Sequence, residues 1–537
     1  MQNIMYQIKY FFILLIAGLG IISCKKNFLE VIPTGQLSDV TFWLTKNDAD
    51  LALAGCYNGW ENDVNVLFND AMSDNGFEEY NWGYRKKGDG QVGPSTVTEA
   101  GRPYGIGNDW FTYRRVRVYN NFLAKIDGVS MDTVLKARYK AEVRFLRAYD
   151  YFNKVLLFGG VPLVTELVKS DVTLARTPAE EVKKFILDEL SAVSKILPVQ
   201  NNITSGGHIT SGAALALKAR LELYMGNYAD AMTDSKAVID MGVYALFPDY
   251  RGLFLPVNKG NNKESIAQVN YIKDNYFSRI VIFNSPALDG GWSGLNATRS
   301  MVEAYETTNG VPITEDPSYD PLHPFKNRDP RLEMTIIYPG QLWNGRYYNS
   351  LDKQITNSSG VTIPNSDYFG IASFAGQSVK KYIGPNLPNS ALNNYDPNIM
   401  VIRLAEMYLT YAEGSVETGQ NMDLGLNYIN KIRTRAGMVS ASVLTRELVR
   451  RERRVELAFE GLRLFDVARW NLGPQVLDGP LYGSRLGSVN SQTGEVTWAS
   501  NYILLEVRNF YPARNYLLPI PQNEMDANPK MTQNPGY

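Results

Sequence analysis

The feature that most constrains this chain is a helical pattern that is hinged on a small residue and then repeated. Residues 211–241 read as two helices around the turn Gly226-Asn227. Residues 401–436 follow the same plan: Leu404, Tyr408, Tyr411 and Ala412 face one way, Gly419 ends the first helix, and Leu424 to Ile432 carry the second. A helix with one apolar side cannot bury it alone, so such hairpins must stack on one another. Upstream, residues 39–60 read as a helix with Ser38 or Asp39 as its cap, and 108–127 with 132–158 as a helical pair. In the second of that pair, Phe145, Tyr149, Phe152 and Leu156 stand at i, i+4, i+7 and i+11, one face of a helix, and Gly159-Gly160-Val161-Pro162 stops it. Thr177-Pro178-Ala179-Glu180 reads as a capping box with proline at the first helical position, opening a helix to about Leu197. Another helix spans about 444–460. About eight helices thus pair into about four hairpins, and the expected fold class is mainly α.

The run Leu223-Tyr224-Met225-Gly226-Asn227-Tyr228-Ala229-Asp230-Ala231 resembles the middle of a tetratricopeptide unit, where a small residue turns the chain and an aromatic ring plus alanines pack the hairpin. The scaffold is therefore expected to be tetratricopeptide-like, built from about 39–241 and 401–470. Between these blocks, 245–400 is rich in Gly, Pro, Asn and aromatics, with short strand-like runs at Ser265–Tyr271 and Thr335–Tyr338. The tail 471–537 has the same character. Both read as long loops and short strands packed on the scaffold, and an irregular segment as long as 245–400 points to a ligand-binding insert.

The N-terminus predicts an export signal over residues 1–23. Lys9 closes a weakly charged start, and Phe11 to Ile22 form an apolar stretch too short for a membrane span of about 20 residues. Ile21 and Ser23 precede Cys24 as in the lipobox of bacterial lipoproteins, so Cys24 is the expected lipidation site. Two or three acyl chains hold a protein to a bilayer where one does not. The mature chain, 24–537, is then expected to be a single domain. Only two cysteines occur, which leaves Cys56 without a disulfide partner and reading as a small buried residue. With 54 Lys plus Arg against 55 Asp plus Glu, the net charge of −1 offers no basic excess for nucleic acid.

Catalytic and metal signatures do not stand out. The two histidines, His208 and His323, lie far apart and outside metal-ligand spacing. Gly105-Ile106-Gly107 reads as a turn, and Glu78-Glu79 as surface acids. No cofactor or metal is expected. The basic run Arg450-Arg451-Glu452-Arg453-Arg454 sits in a helix whose Leu448, Val455, Phe459 and Leu462 are apolar. Glu447, Glu452 and Glu456 are expected to pair with the arginines at helical spacing.

Motifs in order along the chain resemble the SusD/RagB outer-membrane lipoproteins of Bacteroidetes. They begin at Cys24-Lys25-Lys26-Asn27-Phe28-Leu29-Glu30 and continue through Arg144-Phe145-Leu146-Arg147-Ala148-Tyr149, Asn327-Arg328-Asp329-Pro330-Arg331-Leu332 and Ile402-Arg403-Leu404-Ala405-Glu406. The most specific run is Arg451 to Arg463, followed by Phe465-Asp466 and Arg469-Trp470; the chain closes on Leu518-Pro519-Ile520-Pro521 and Gln533-Asn534-Pro535-Gly536-Tyr537. The resemblance implies a surface-exposed, lipid-anchored protein of the outer membrane. Such a protein captures an oligo- or polysaccharide and passes it to a SusC-type TonB-dependent transporter without breaking a bond. Alternatives are capture of peptides, as some relatives do, and an assembly lipoprotein that binds only protein partners.

Aromatic rings stack on the C–H faces of sugars while polar side chains bond the hydroxyls. Of the eight tryptophans, Trp43, Trp60, Trp110 and Trp470 lie in or beside helices and read as core. Trp82, Trp292 and Trp343 lie in Gly/Asn-rich stretches and are the expected sugar platforms, with Trp82 foremost; Trp498 is unassigned. Asp74, Asn75, Tyr80, Tyr84 and Arg85 share the loop of Trp82 and complete the expected binding set. The resemblance supports the early and middle regions as ligand-contacting loops, without a fixed motif for the residues.

Overall fold

The computed structural model describes residues 42–80, 82–97, 111–169, 172–200, 207–357 and 359–537. Cys24, Ser38, Asp39, the Gly105–Gly107 run and Trp110 lie outside the described residues.

The hairpin pattern folds as a stack of helices: α1 (Lys46–Tyr57), α2 (Arg114–Lys125), α3 (Thr133–Phe158), α4 (Ala179–Ser194), α5 (Ser211–Met225), α6 (Tyr228–Asp240), α7 (Leu404–Thr418), α8 (Met422–Arg435) and α9 (Arg446–Glu456). Each of α2 to α7 packs on the next helix in order, and α9 closes on α7. The stack runs directly from α6 to α7 although about 160 residues separate them in sequence. At both hinges the glycine is in the left-handed region that other residues rarely enter, Gly226 at φ 80° and Gly419 at φ 69°.

Two caps differ from expectation. Helix α1 starts at Lys46, with a capping box between Thr45 and Asp48. At α4 the cap position is Pro178, which makes no side-chain bond. Thr177 is instead engaged backwards. Its N–H donates to Val161 O (3.0 Å) and its hydroxyl accepts from the Leu163 N–H (3.3 Å), so neither reaches the helix.

The strands used below are β1 (Gly76–Glu78), β2 (Ser265–Asn270), β3 (Leu295–Ala297), β4 (Ile336–Ile337), β5 (Ser378–Val379), β6 (Asn398–Arg403), β7 (Gly479–Val489) and β8 (Val496–Arg508). The middle insert leaves and rejoins the scaffold through one antiparallel pair, β2 with β6, and α7 begins at the residue after β6. A second sheet, ordered β1-β3-β5-β4, ties the early loop to the insert. The tail differs from the expected loops and short strands, because β7 and β8 form a ribbon of 11 and 13 residues. Three register shifts and the glycines at 479, 483 and 487 interrupt its period-2 pattern, which hides a long strand from a sequence reading.

The basic run of α9 is buried or half-buried, and its ion pairs reach other elements instead of neighbours along the helix. Arg453 holds Asp466 (2.9 Å), Arg454 holds Asp74 (2.9 Å) and Arg451 holds Glu306 (2.6 Å). Glu452 and Glu456 both meet Arg331, which also holds Asp329 (2.7 Å). Arg403, from the end of β6, joins Glu264 (2.7 Å), Glu456 (2.6 Å) and Glu460 (2.7 Å). Arg331, Arg403, Arg453 and Glu456 are at most 1% exposed. Charges so buried must be paired, and these pairs stitch the insert to the scaffold.

Cys56 is buried in α1, and burial pushes its thiol up to about 12. Trp43 and Trp60 are core residues, as expected. Trp470 is half-buried, its indole N–H donating to Glu413 (2.8 Å).

Candidate functional site

The pairing of β1 with β3 builds the site. Glu78 stands opposite Leu295 and Phe77 opposite Asn296, and the Glu79 N–H extends the ladder to Gly294 O (3.0 Å). In an antiparallel pair, the residues after one strand and before the other emerge at the same end. Tyr80 and Trp82 follow β1, and Trp292 precedes β3, so the three rings meet. Tyr80 stacks on Trp82 (centroids 5.4 Å apart, 23° between planes) and stands edge-on to Trp292 (6.1 Å). Trp82 lies 6.3 Å from Trp292 and continues inward to Phe68 (5.2 Å) and Phe283 (5.3 Å). Tyr80 is 38% and Trp292 41% exposed, while Trp82 is half-buried beneath them. The approach is close: a Cβ on Gly294 would lie 2.9 Å from Phe283 O and 3.3 Å from the Trp82 ring.

Two carboxylates hold this arrangement. Glu78, fully buried, accepts the N–H groups of Trp82 (2.6 Å) and Arg85 (2.8 Å), which folds the loop back over the sheet. Glu79 accepts the Ser373 N–H (2.8 Å) and so draws in the 371–374 segment, where Phe374 is 39% exposed. Burial pushes both carboxyls up to about 8, more than the surrounding hydrogen bonds can offset. Burial, the charge of the adjacent Glu79 and the hydrogen bond the phenol gives it raise Tyr80 to about 12, so it is a neutral hydroxyl whose oxygen can still accept. The expectation that Glu78 and Glu79 are surface acids is corrected: both are interior, and Glu78 is occupied with backbone N–H groups.

The other candidates separate. Asp74 is 1% exposed and gripped by Arg463 (2.8 Å) and Arg454 (2.9 Å); burial opposes its charge, but the guanidiniums outweigh it and hold its carboxyl well below the usual range. Asn75 is buried beside it and accepts from Arg454 (2.8 Å). Tyr84 is buried, its hydroxyl donating to Asn65 Oδ1 (2.6 Å). Trp343 is 5% exposed, packed with Ile337, Tyr348 and Ile383 in a small satellite core, and its indole N–H donates to Asp289 (2.7 Å). These four are corrected from ligand contacts to internal supports, because their side chains have almost no surface to offer. Arg85 is partly exposed, pairs with Glu506 (2.6 Å) and lies over the Phe77 ring (4.6 Å). The two histidines stay apart: His208 faces Glu142 (2.6 Å), and exposed His323 faces Asp320 (2.6 Å).

Sequence reasoning missed Phe68, Phe283 and Phe374. The first two sit in apolar runs indistinguishable from core, and the last is placed only by the bond of its neighbour to Glu79. The resulting surface is an apolar platform of two exposed rings over a third, with a hydroxyl at its edge. It suits stacking against a flat C–H face with hydrogen bonds around it.

Residues 254–537 match the family described as the SusD family, and residues 37–223 match one described as starch-binding associating with outer membrane. A SusD-like carbohydrate binding protein from Bacteroides fragilis superposes with a TM-score of 0.80 at 28% identity, covering 92% of this chain and 100% of that one. SusD-like protein P38 of Formosa agariphila is 25% identical over 503 residues, 88% of this chain and 92% of its own. The starch-binding protein SusD of Bacteroides thetaiotaomicron is 24% identical over 461 residues, 78% of this chain and 76% of its own.

Proposed function

The chain belongs to the SusD family, and from that premise we propose that it captures a glycan on the platform of Tyr80, Trp82 and Trp292 and hands it to a SusC-type TonB-dependent transporter. The observation that carries the reading is the convergence of Tyr80 and Trp292, both exposed, on the half-buried Trp82. Two ring faces from separate segments give a sugar chain a preformed surface, so little ordering is needed on binding. Trp82 sets the height and tilt of the other two rings. The Tyr80 hydroxyl, tied to Glu79, offers its oxygen as an acceptor at the platform. The protein's part is binding and release, without bond cleavage.

The anchor belongs to the same mechanism. Lipid on Cys24 would tether the body beside its transporter at the outer-membrane surface and leave it free to open and close over the barrel. Among the described residues no helix is long and apolar enough to cross a membrane, which suits attachment through lipid. Relatives described as starch-binding or carbohydrate-binding support a glycan as the cargo.

Isothermal titration of the protein against a panel of neutral and acidic oligosaccharides tests the reading. Binding of at least one glycan that weakens in Trp292→Ala is expected. Binding of peptides with no response to any glycan would overturn it. Cys24→Ala is expected to shift the protein out of the membrane fraction with its fold intact, and co-purification of a transporter barrel from native membranes is expected for the unaltered chain.

A further inference from the structure

A second concavity lies beyond the other end of β3. Trp292 stands three residues before that strand and Arg299 two residues after it. There the 299–328 segment and the β7-β8 ribbon enclose a cavity of about 270 Å³. Its aromatic wall is held rigidly: Phe325 stacks on Tyr338 (3.9 Å, 17°) and meets Trp498 edge-on (6.0 Å). The guanidiniums of Arg299 and Arg485 lie over Tyr502 (3.8 Å) and Trp498 (5.8 Å).

Two observations point to a ligand. Gln377 and Ser484, 3% and 2% exposed, both line this cavity, and neither Gln377 Oε1 nor Ser484 Oγ has a partner within the protein. A buried amide oxygen without a donor is costly, so this wall is complete only when something donates to it. The charge is also one-sided. Arg299 is paired with Glu303 (2.5 Å). Arg328 and Arg485 give their hydrogen bonds to backbone carbonyls, of Pro324, Val302 and Tyr305 in the first case and of Ala499 and Pro321 in the second. Three guanidiniums therefore face the space against one carboxylate. Arg485 uses three of its five N–H groups and keeps donors for an anion.

We propose that this cavity is a second binding site, for a single sugar-acid ring. The C–H face of the ring packs on Trp498 and Phe325, a ring hydroxyl donates to Gln377 Oε1, and the carboxylate takes the free donors of Arg485. The volume falls just below the roughly 300–1,000 Å³ of drug-sized pockets, which fits one ring and not a chain. The site is separate from the aromatic platform and does not rest on it.

Trp498 supplies a fluorescence signal at the site, and titration calorimetry gives the affinity. With the full mature protein, glucuronate or galacturonate is expected to bind, and glucose about tenfold or more weakly, since a charge-assisted bond contributes more than the 1.4 kcal/mol that a decade requires. Arg485→Gln is expected to erase the preference for the acid, and Gln377→Met to weaken both ligands; an unchanged melting temperature shows that each variant is folded. Trp292→Ala, which weakens the platform, is expected to leave uronate binding in place. The proposal is overturned if neither uronate binds at millimolar concentration, if glucose binds equally well, if Arg485→Gln and Gln377→Met bind as the unaltered protein does, or if Trp292→Ala abolishes the uronate signal. Benzoate binding as tightly as the uronates would also overturn it, because an aromatic acid has no hydroxyl for Gln377.

Discussion

Two sets of buried carboxylates in this protein titrate in opposite directions. In the ionic hub around α9, burial opposes the charge of Glu456, but Arg435, Arg403 and Arg331 outweigh it and hold the carboxyl far below its usual range. Glu460 and Asp466 are lowered in the same way by their basic neighbours. Beneath the platform, Glu78 and Glu79 are pushed up to about 8, because burial there is met mainly by hydrogen bonds. The hub thus joins segments through charge, whereas the platform clamp works through neutral or weakly ionised acids that shape a loop. Glu452 marks the boundary: it lies in the hub, yet burial, with the nearby Asp329 adding repulsion, still wins over Arg331 and Arg433 and raises it. What decides the sign is the sum of all charges around the carboxyl, neighbouring acids as well as basic groups, set against a desolvation that is incurred once.

The comparison can be broken first at the hub. Arg331→Met leaves Asp329, Glu452 and Glu456 short of a partner and is expected to lower the unfolding free energy by about 3–5 kcal/mol, read by urea denaturation. A loss under about 1 kcal/mol would mean that the hub tolerates an unpaired charge like an exposed pair. Trp82→Ala removes a half-buried ring that touches both core and platform. It is expected to cost about 2–3 kcal/mol of stability, below the range for a fully buried tryptophan, and to weaken glycan binding as well. Trp292→Ala should separate the two roles. Stability stays within about 0.5 kcal/mol, while glycan affinity falls by roughly 1 kcal/mol, the scale of one stacking contact. Equal losses of stability in the two tryptophan variants would erase the distinction between the supporting and the contacting ring.

A pH dependence separates the two sets without removing any contact. Glu79 has a folded value near 8, above its unfolded value of about 4.3. Its contribution is fully present below the unfolded value and is lost as pH rises through about 8. Glu79→Gln is therefore expected to melt higher than the unaltered protein at pH 9, with the gap closing toward pH of about 5. The hub acids act on the other side: Glu456, lowered on folding, stabilises above its unfolded value and is lost as pH falls below about 4. A Glu79→Gln advantage that did not change with pH would show that the clamp carboxyl is ordinarily ionised.

Much of the scaffold was legible in the sequence. The hinges at Gly226 and Gly419, and the apolar faces of α3 and α7, are local patterns that need no distant partner to be recognised. Trp82 and Trp292 were legible one at a time, as rings in polar, glycine-rich surroundings. Their meeting was not, because about 210 residues lie between them and only the β1-β3 register joins them. Asp74, Asn75, Tyr84 and Trp343 look the same in sequence as Tyr80 does. The interior placement of Asp74 and Asn75 depends on Arg463 and Arg454, 389 and 379 residues further along the chain, and Trp343 is held by Asp289, 54 residues upstream. The arginines of α9 were rightly read as structural. Their partners were misread, because helical spacing is the only proximity a sequence displays.

By itself the sequence determined the helical hairpins, their hinges and the resemblance to one family, since periodicity, capping and turn conformation are settled within a few residues. Tertiary structure alone decided which buried acids are surrounded by enough positive charge to stay ionised, and which rings reach the surface together. Both are sums over partners far apart in the chain, and they take a definite value only once the sheet register and the helix stack have brought those partners within a few ångströms.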